Sequence, residues 1–205
     1  MPQHLVFDVE TQRLSDELPG GWNDLHEMGV ACCVAYSPDE DRFWVFGDTD
    51  EDESRLRELL LGAERLTGFN IWGFDIPVVF RCSRQEWLGA KKPPHVVELQ
   101  RVLRPKVDDL LRRIRIGLGE DPDAPGPKQK GWKLDDVARA TLGGPGKTGN
   151  GVQAVEFYKQ GRWADLVGYC LNDTSLTSDL SYFAERYGYL RNEERVVYLP
   201  PWPET

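Results

Sequence analysis

Long apolar segments are missing from this sequence. Among its 205 residues, no apolar run approaches the roughly 20 residues that a membrane-spanning helix needs. The polar start MPQH leads directly into a predicted strand, which is not the pattern of a secretory signal peptide. We therefore expect a cytoplasmic protein without membrane partners.

Cysteine and histidine are scarce. The chain has four cysteines and three histidines, with no CxxC pair and no Cys/His zinc-ligand spacing. The cysteines are Cys32, Cys33, Cys82 and Cys170. Because neighbours in a strand point to opposite faces, Cys32 and Cys33 are predicted to separate. Neither a disulfide framework nor a zinc site is indicated, and reduced thiols fit a cytoplasmic protein.

Positive charge is in short supply, because 25 Lys and Arg stand against 34 Asp and Glu, a net charge of −9. Taken alone, this argues against a nucleic-acid-binding protein. Residues 91–147 differ, with 13 Lys and Arg against 8 Asp and Glu, a net charge of +5. This segment either binds a polyanion or only offsets acids elsewhere on the surface. Its candidate phosphate contacts are Arg112, Arg113, Arg115, Lys128, Lys130 and Lys133.

Hydrophobic content of 40% allows a substantial core, and the patterns predict a mixed α/β protein. Strands are predicted in HLVFDVE, EMGVACCVAYS, RFWVFG and RLTGFN, with one edge strand in VVYLPPWPET. The turn PDED predicts a hairpin between the second and third of these strands. Helices are predicted in DEDESRLRELLLGA, DIPVVFRCSRQEWLG, VDDLLRRIRIGLG, KLDDVARATLGG, VQAVEFYKQG and RWADLVGYCLNDTSLTSDLSYFAERYG.

Two carboxylates interrupt the first strand, in LVFDVET at positions 5–11. Residues two apart in a strand face the same side, so Asp8 and Glu10 project together. Like charges this close repel, and a shared Mg²⁺ with its preference for carboxylate oxygens would remove the repulsion. The alternative is an edge strand whose solvated face carries two acids.

Two further patterns place acids near helices. In GFNIWGFD, at positions 68–75, Asp75 follows a Gly-rich turn and is predicted to cap a helix. In YCLND, at positions 169–173, Tyr169 and Asp173 are predicted to lie one helical turn apart on one face. Considered separately, simple capping and an ordinary amphipathic helix are the favoured explanations of these residues.

Taken together and in this order, DxE, GFNxxGFD and Yx₃D resemble the three motifs of the DEDD superfamily of 3′–5′ exonucleases. The tyrosine resembles the subgroup with Tyr in the third motif, as in the exonuclease domain of family B DNA polymerases and stand-alone bacterial relatives. The resemblance extends from Leu5 to about Tyr187. It implies a ribonuclease H-like fold with a mixed five-stranded sheet. Residues 1–190 would form this single domain, with a variable basic region at 91–150 and a C-terminal tail at 191–205.

The same resemblance implies a two-metal hydrolysis at single-stranded 3′ ends, with DNA favoured and RNA as the alternative. Two Mg²⁺ or Mn²⁺ ions would be bound by Asp8, Glu10, Asp75 and Asp173. Tyr169 would orient the attacking water. Thr11, Asn70 and Phe74 would contact the terminal nucleotide. A non-catalytic binding module on the same fold is the other alternative, although all four acids are present.

Two other features have competing interpretations. GGPGKTGNG, at positions 143–151, resembles a phosphate-binding loop but lacks the required first glycine, because position 141 is Thr. A plain solvated turn is favoured there over a loop whose Lys147 contacts a substrate phosphate. Trp72 in the second motif is interpreted either as a base-stacking residue or as part of the core.

Overall fold

The computed structural model describes residues 3–123 and 130–202. Over these ranges the strands are β1 (His4–Thr11), β2 (Val30–Ser37), β3 (Arg42–Phe46), β4 (Arg65–Gly68), β5 (Val107–Asp109), β6 (Tyr189–Arg191) and β7 (Val196–Tyr198). The α-helices are α1 (Leu25–Met28), α2 (Asp50–Gly62), α3 (Asp75–Val79), α4 (Arg84–Leu88), α5 (Pro94–Leu103), α6 (Leu110–Gly117), α7 (Leu134–Leu142), α8 (Gly151–Lys159) and α9 (Trp163–Tyr187). No helix in the described residues is both long and apolar enough to cross a bilayer.

The main sheet is mixed, with the strand order β3-β2-β1-β4-β5 in the described part of the chain. The central strand β1 pairs antiparallel with β2 and parallel with β4. Strands β2 and β3 form the predicted hairpin. The prediction of a mixed five-stranded α/β sheet flanked by helices is thus confirmed.

The fifth strand differs from the one predicted. Residues Val107–Asp109 were expected to begin a helix, but they form β5 and pair in parallel with β4. The helix begins only at Leu110, where Asp109 caps it by accepting hydrogen bonds from backbone N–H groups. The tail strand β7 pairs with β6 in a separate two-stranded sheet. Local periodicity favoured a helix because VDDLL carries no turn signal between its strand and helix parts.

Both faces of β1 are covered. Leu5, Phe7 and Val9 join the larger core with side chains of α1–α5. On the opposite face, α8 and α9 pack on β2 through a smaller core that contains Cys32 and Cys170. Cys33 belongs to the larger core, so the predicted separation of the two adjacent cysteines is confirmed. The opposite pleat of β1 therefore directs Asp8 and Glu10 toward α9.

The basic region and the chain end share a third core. Side chains of α6 and α7 pack there against the last turns of α9 and the β6–β7 sheet. Arg113 of α6 donates to the backbone carbonyl of Pro200 at 3.1 Å. Helices α6 and α7 of the basic region and the described chain end are therefore packed onto the same framework that carries the central strand.

Candidate functional site

The two acids of β1 lie beside a thiol of α9. Asp8 is opposite Val34 of β2 and Glu10 is opposite Cys32, and the register shifts directly after Glu10. A carboxylate oxygen of each acid and the Sγ of Cys170 all lie within 4.8 Å of one another. The thiol donates to the backbone oxygen of Asp8 at 3.3 Å. These three groups form a cluster that could hold a metal ion.

This cluster is electrostatically unfavourable when both acids are ionised. Burial, followed by repulsion from Asp173, raises the pKa of Asp8 to about 7, although Lys147 opposes the shift. Burial and the neighbouring charge of Asp8 likewise raise the pKa of Glu10 well above its usual value. A bound cation would reverse both effects, because it favours the charged forms.

Asp75 reaches the same place from the other side of the sheet. It is the first residue of α3, and Phe74 occupies the N-cap position, so the predicted capping role of Asp75 is wrong. Its Oδ1 instead accepts a hydrogen bond of 2.9 Å from the backbone N–H of Val9 in β1. Burial and the charge of Asp8 raise its pKa well above the usual value. This long-range bond ties Asp75 to Val9, the residue between Asp8 and Glu10.

Tyr169 and Asp173 lie one turn apart on α9, as predicted, and both are buried. The hydroxyl of Tyr169 and the Oδ1 of Asp173 are buried without a hydrogen-bond partner in the described residues. Such orphaned polar atoms are rare in folded proteins and are common where a ligand is absent. Burial raises the pKa of both groups.

Lys147 is a member of this site, although the sequence favoured a plain solvated turn there. Its ammonium group forms an ion pair with Asp173, and it lies 5.1 Å from the centre of the Tyr169 ring. Asp135 accepts a hydrogen bond of 2.8 Å from the backbone N–H of Lys147, which anchors the loop. The preferred interpretation of this stretch as a plain solvated turn is therefore wrong for Lys147. The only sequence signal was a lysine within a glycine-rich loop, which is weak by itself.

All the residues that the motifs selected line one cleft of about 1000 Å³. They are Asp8, Glu10, Thr11, Asn70, Phe74, Asp75, Tyr169 and Asp173. Asn70 sits in a left-handed turn with φ of 71°, and its N–H donates to Asp109 at 2.9 Å. This turn places the second motif at the cleft wall.

Two tryptophans near the cleft differ in their exposure to solvent. Trp72 is 2% exposed and packs against Trp87 with ring centres 4.8 Å apart, so of its two interpretations the core one is confirmed. Trp22, which the motifs did not select, lines the cleft and is 56% exposed. It lies between β1 and β2, in the short turn Gly21–Asn23.

The basic segment contributes part of the cleft wall. Arg112, Arg115 and Lys133 line the cleft. Arg113 does not, because it is buried and forms an ion pair of 3.1 Å with Asp108. A phosphate contact by Arg113 is thus ruled out in this fold. Of the remaining candidates, Lys130 is exposed but is not among the lining residues, and Lys128 lies outside the described residues.

No protein-family model matches this chain, and no curated protein matches it in sequence. An interpretation of the cleft therefore depends on its own chemistry. That chemistry consists of four convergent carboxylates, one phenol, one ammonium group and a basic wall.

Proposed function

We propose that this protein is a metal-dependent 3′–5′ exonuclease that removes nucleotides from the end of a single strand. The observation that carries the proposal is the convergence of acids from three distant segments. Asp8 and Glu10 come from β1, Asp75 from α3, and Asp173 from α9. Folding brings these acids together although their charges repel one another. Such an arrangement is expected where a site has to bind cations.

The donor set suits hard divalent ions. Carboxylate oxygens dominate it, and Mg²⁺ and Mn²⁺ prefer such ligands. The unpartnered Oδ1 of Asp173 is a further vacant acceptor on the cleft wall. Asp8, Glu10 and Asp173 would hold one ion, and Asp8 with Asp75 would hold a second. When bound, such a pair supplies the charge that activates water and stabilises the leaving oxygen of a phosphodiester.

The chain's own groups would position the reactants. The hydroxyl of Tyr169 is buried at the cleft without a partner, so it is available to hold the attacking water. Lys147 beside it can donate to a non-bridging oxygen of the phosphate. Thr11, Asn70 and Phe74 would surround the terminal nucleotide, since all three line the same cleft.

The architecture supports the same proposal. A mixed five-stranded sheet in the order β3-β2-β1-β4-β5, with acids on the central strand and a long helix across it, agrees with the ribonuclease H-like fold that the motifs imply. A non-catalytic binding module is disfavoured because it has no need for four clustered carboxylates, three of them buried.

A labelled-end assay tests the proposal. Single-stranded DNA and RNA, labelled at the 5′ or the 3′ end, are incubated with the protein and Mg²⁺ or Mn²⁺. We expect shortening from the 3′ end with release of nucleoside 5′-monophosphates, and none in the presence of chelator. The Asp8→Asn variant should lose this activity while remaining folded, whereas Glu64→Gln, a change at an exposed acid, should not. Wild-type turnover by Asp8→Asn would refute the assignment.

A further inference from the structure

Trp22 is a large aromatic side chain exposed inside the cleft. It is 56% exposed, although a tryptophan is usually well buried. The motifs assign it no role, and it does not join the core cluster that its neighbours form. An exposed ring in a cleft with a basic wall is a common platform for a nucleobase.

The segment around Trp22 is held by specific bonds. Gly21 adopts a left-handed φ of 56° that favours glycine. The N–H of Gly20 donates to Asp24 at 2.6 Å. The side chain of Asn23 accepts a hydrogen bond of 3.0 Å from the backbone N–H of Gln85 in α4. Trp22 is therefore carried on a turn that is tied to α4.

The ring of Trp22 is oriented by Phe74. Their centres are 6.0 Å apart and their planes make an angle of 64°, an edge-to-face contact. Phe74 directly precedes Asp75, so the aromatic pair adjoins the carboxylates in the chain. Arg84, the first residue of α4, lines the same cleft next to Gln85. A stacking surface and a cation thus share one cleft with the acids.

We infer that Trp22 is the base-stacking residue of this site and selects strands whose terminal bases are unpaired. The inference rests on the proposed function, because it assigns the substrate of the same cleft. An unpaired base can place its face on Trp22 while Arg84 contacts a neighbouring phosphate. A base within a duplex end is stacked and paired, so it reaches this ring only after unpairing.

Three variants separate stacking from a general structural role. Trp22→Ala removes the ring, and Trp22→Phe keeps an aromatic face. Trp163→Ala is the matched control, because Trp163 is 44% exposed and packs edge-to-face on Tyr158 at 5.8 Å but does not line the cleft. Binding is measured in the Asp8→Asn background with Mg²⁺, by the anisotropy of a labelled single-stranded oligonucleotide. A second oligonucleotide carries abasic sites at its three terminal positions.

We expect Trp22→Ala to weaken binding of the intact strand about 5- to 150-fold, the range measured for base–aromatic stacking. It should leave binding of the abasic strand unchanged. Trp22→Phe should recover most of the loss, and Trp163→Ala should bind like its parent. Equal weakening on both strands, or none on the intact strand, would overturn the inference.

The failure of the proposed function would look different. A protein that binds the strand through Trp22 but never hydrolyses it would retain this inference and reject the exonuclease. Metal-dependent hydrolysis with an unchanged KM in Trp22→Ala would support the exonuclease and reject the role of Trp22. In the active protein, the variant should also lose preference for a single-stranded over a blunt 3′ end.

Discussion

Lys147 and Asp173 form an ion pair inside the cleft. Their side chains are only 22% and 2% exposed, so water screens the pair weakly. The ammonium group supplies part of the positive charge that the four carboxylates require. Asp173 has to release Lys147 before it can bind a divalent ion through the same oxygen.

Lys147→Met should therefore have opposite effects on stability and on metal binding. Without metal, the variant should lose about 1–3 kcal/mol of unfolding free energy, because a buried acceptor is left without its partner. Its apparent Kd for Mn²⁺ should fall, because no internal cation competes for Asp173. Chemical denaturation and calorimetric titration measure the two quantities, and Lys147→Arg serves as the control that keeps the charge. A higher Kd for Mn²⁺ in Lys147→Met would contradict this expectation and show that Lys147 assists metal binding.

Tyr169→Phe should slow hydrolysis roughly 10²- to 10³-fold while leaving metal affinity nearly unchanged. The hydroxyl makes no protein hydrogen bond in the described residues. Its removal should therefore leave the metal-free protein as stable as the wild type, or more so. Single-turnover rates, Mn²⁺ titration and thermal melting test the three parts. Loss of metal binding, or an unchanged rate, would contradict the water-positioning role.

The metal-free protein should become less stable as the pH rises from about 4 to 7. The folded pKa of Asp8 is about 7, against an ordinary value of 3.8. In this window the folded state keeps a proton that the unfolded state releases, so raising the pH favours unfolding, by up to about 4 kcal/mol. Denaturant titrations in chelator should show this slope in the wild type and a smaller slope in Asp8→Asn. An identical slope in both would show that Asp8 ionises normally.

Divalent metal should reduce this dependence of protein stability on pH. A bound cation favours the ionised carboxylate, so it lowers the pKa of Asp8 in the folded state. The stabilisation by Mn²⁺, measured as a shift in Tm, should be larger at pH 7.5 than at pH 5. Glu64→Gln should behave as the wild type at both values, because Glu64 is exposed.

Lys133→Ala and Lys130→Ala should differ in their effect on binding. Lys133 lines the cleft, whereas the exposed Lys130 is not among the lining residues. If Lys133 contacts a phosphate, its loss should raise KM and lower the salt slope of single-strand binding by about 0.7. The rate at saturation should be nearly unchanged. Equal effects of the two substitutions would indicate a general charge effect instead of a local contact.

Local spacing determined the parts of the site that lie within one element. The two-residue repeat of a strand placed Asp8 and Glu10 on one side of β1, and the helical turn placed Tyr169 beside Asp173. The hairpin of β2 and β3 was also readable, because PDED separates two apolar runs. These relationships depend on geometry over a few residues, which the sequence displays directly.

Contacts between distant segments were decided only by the tertiary structure. Asp75 of α3 accepts a hydrogen bond from the N–H of Val9 in β1, and a glycine-rich loop places Lys147 next to Asp173. Both contacts join residues far apart in the chain, and no periodic pattern encodes such pairings. The same reason explains why the exposure of the tryptophans could not be predicted. Only tertiary packing buries Trp72 and leaves Trp22 exposed in the cleft. A side chain's own chemistry determines what it can bind, but the fold determines which neighbours it meets.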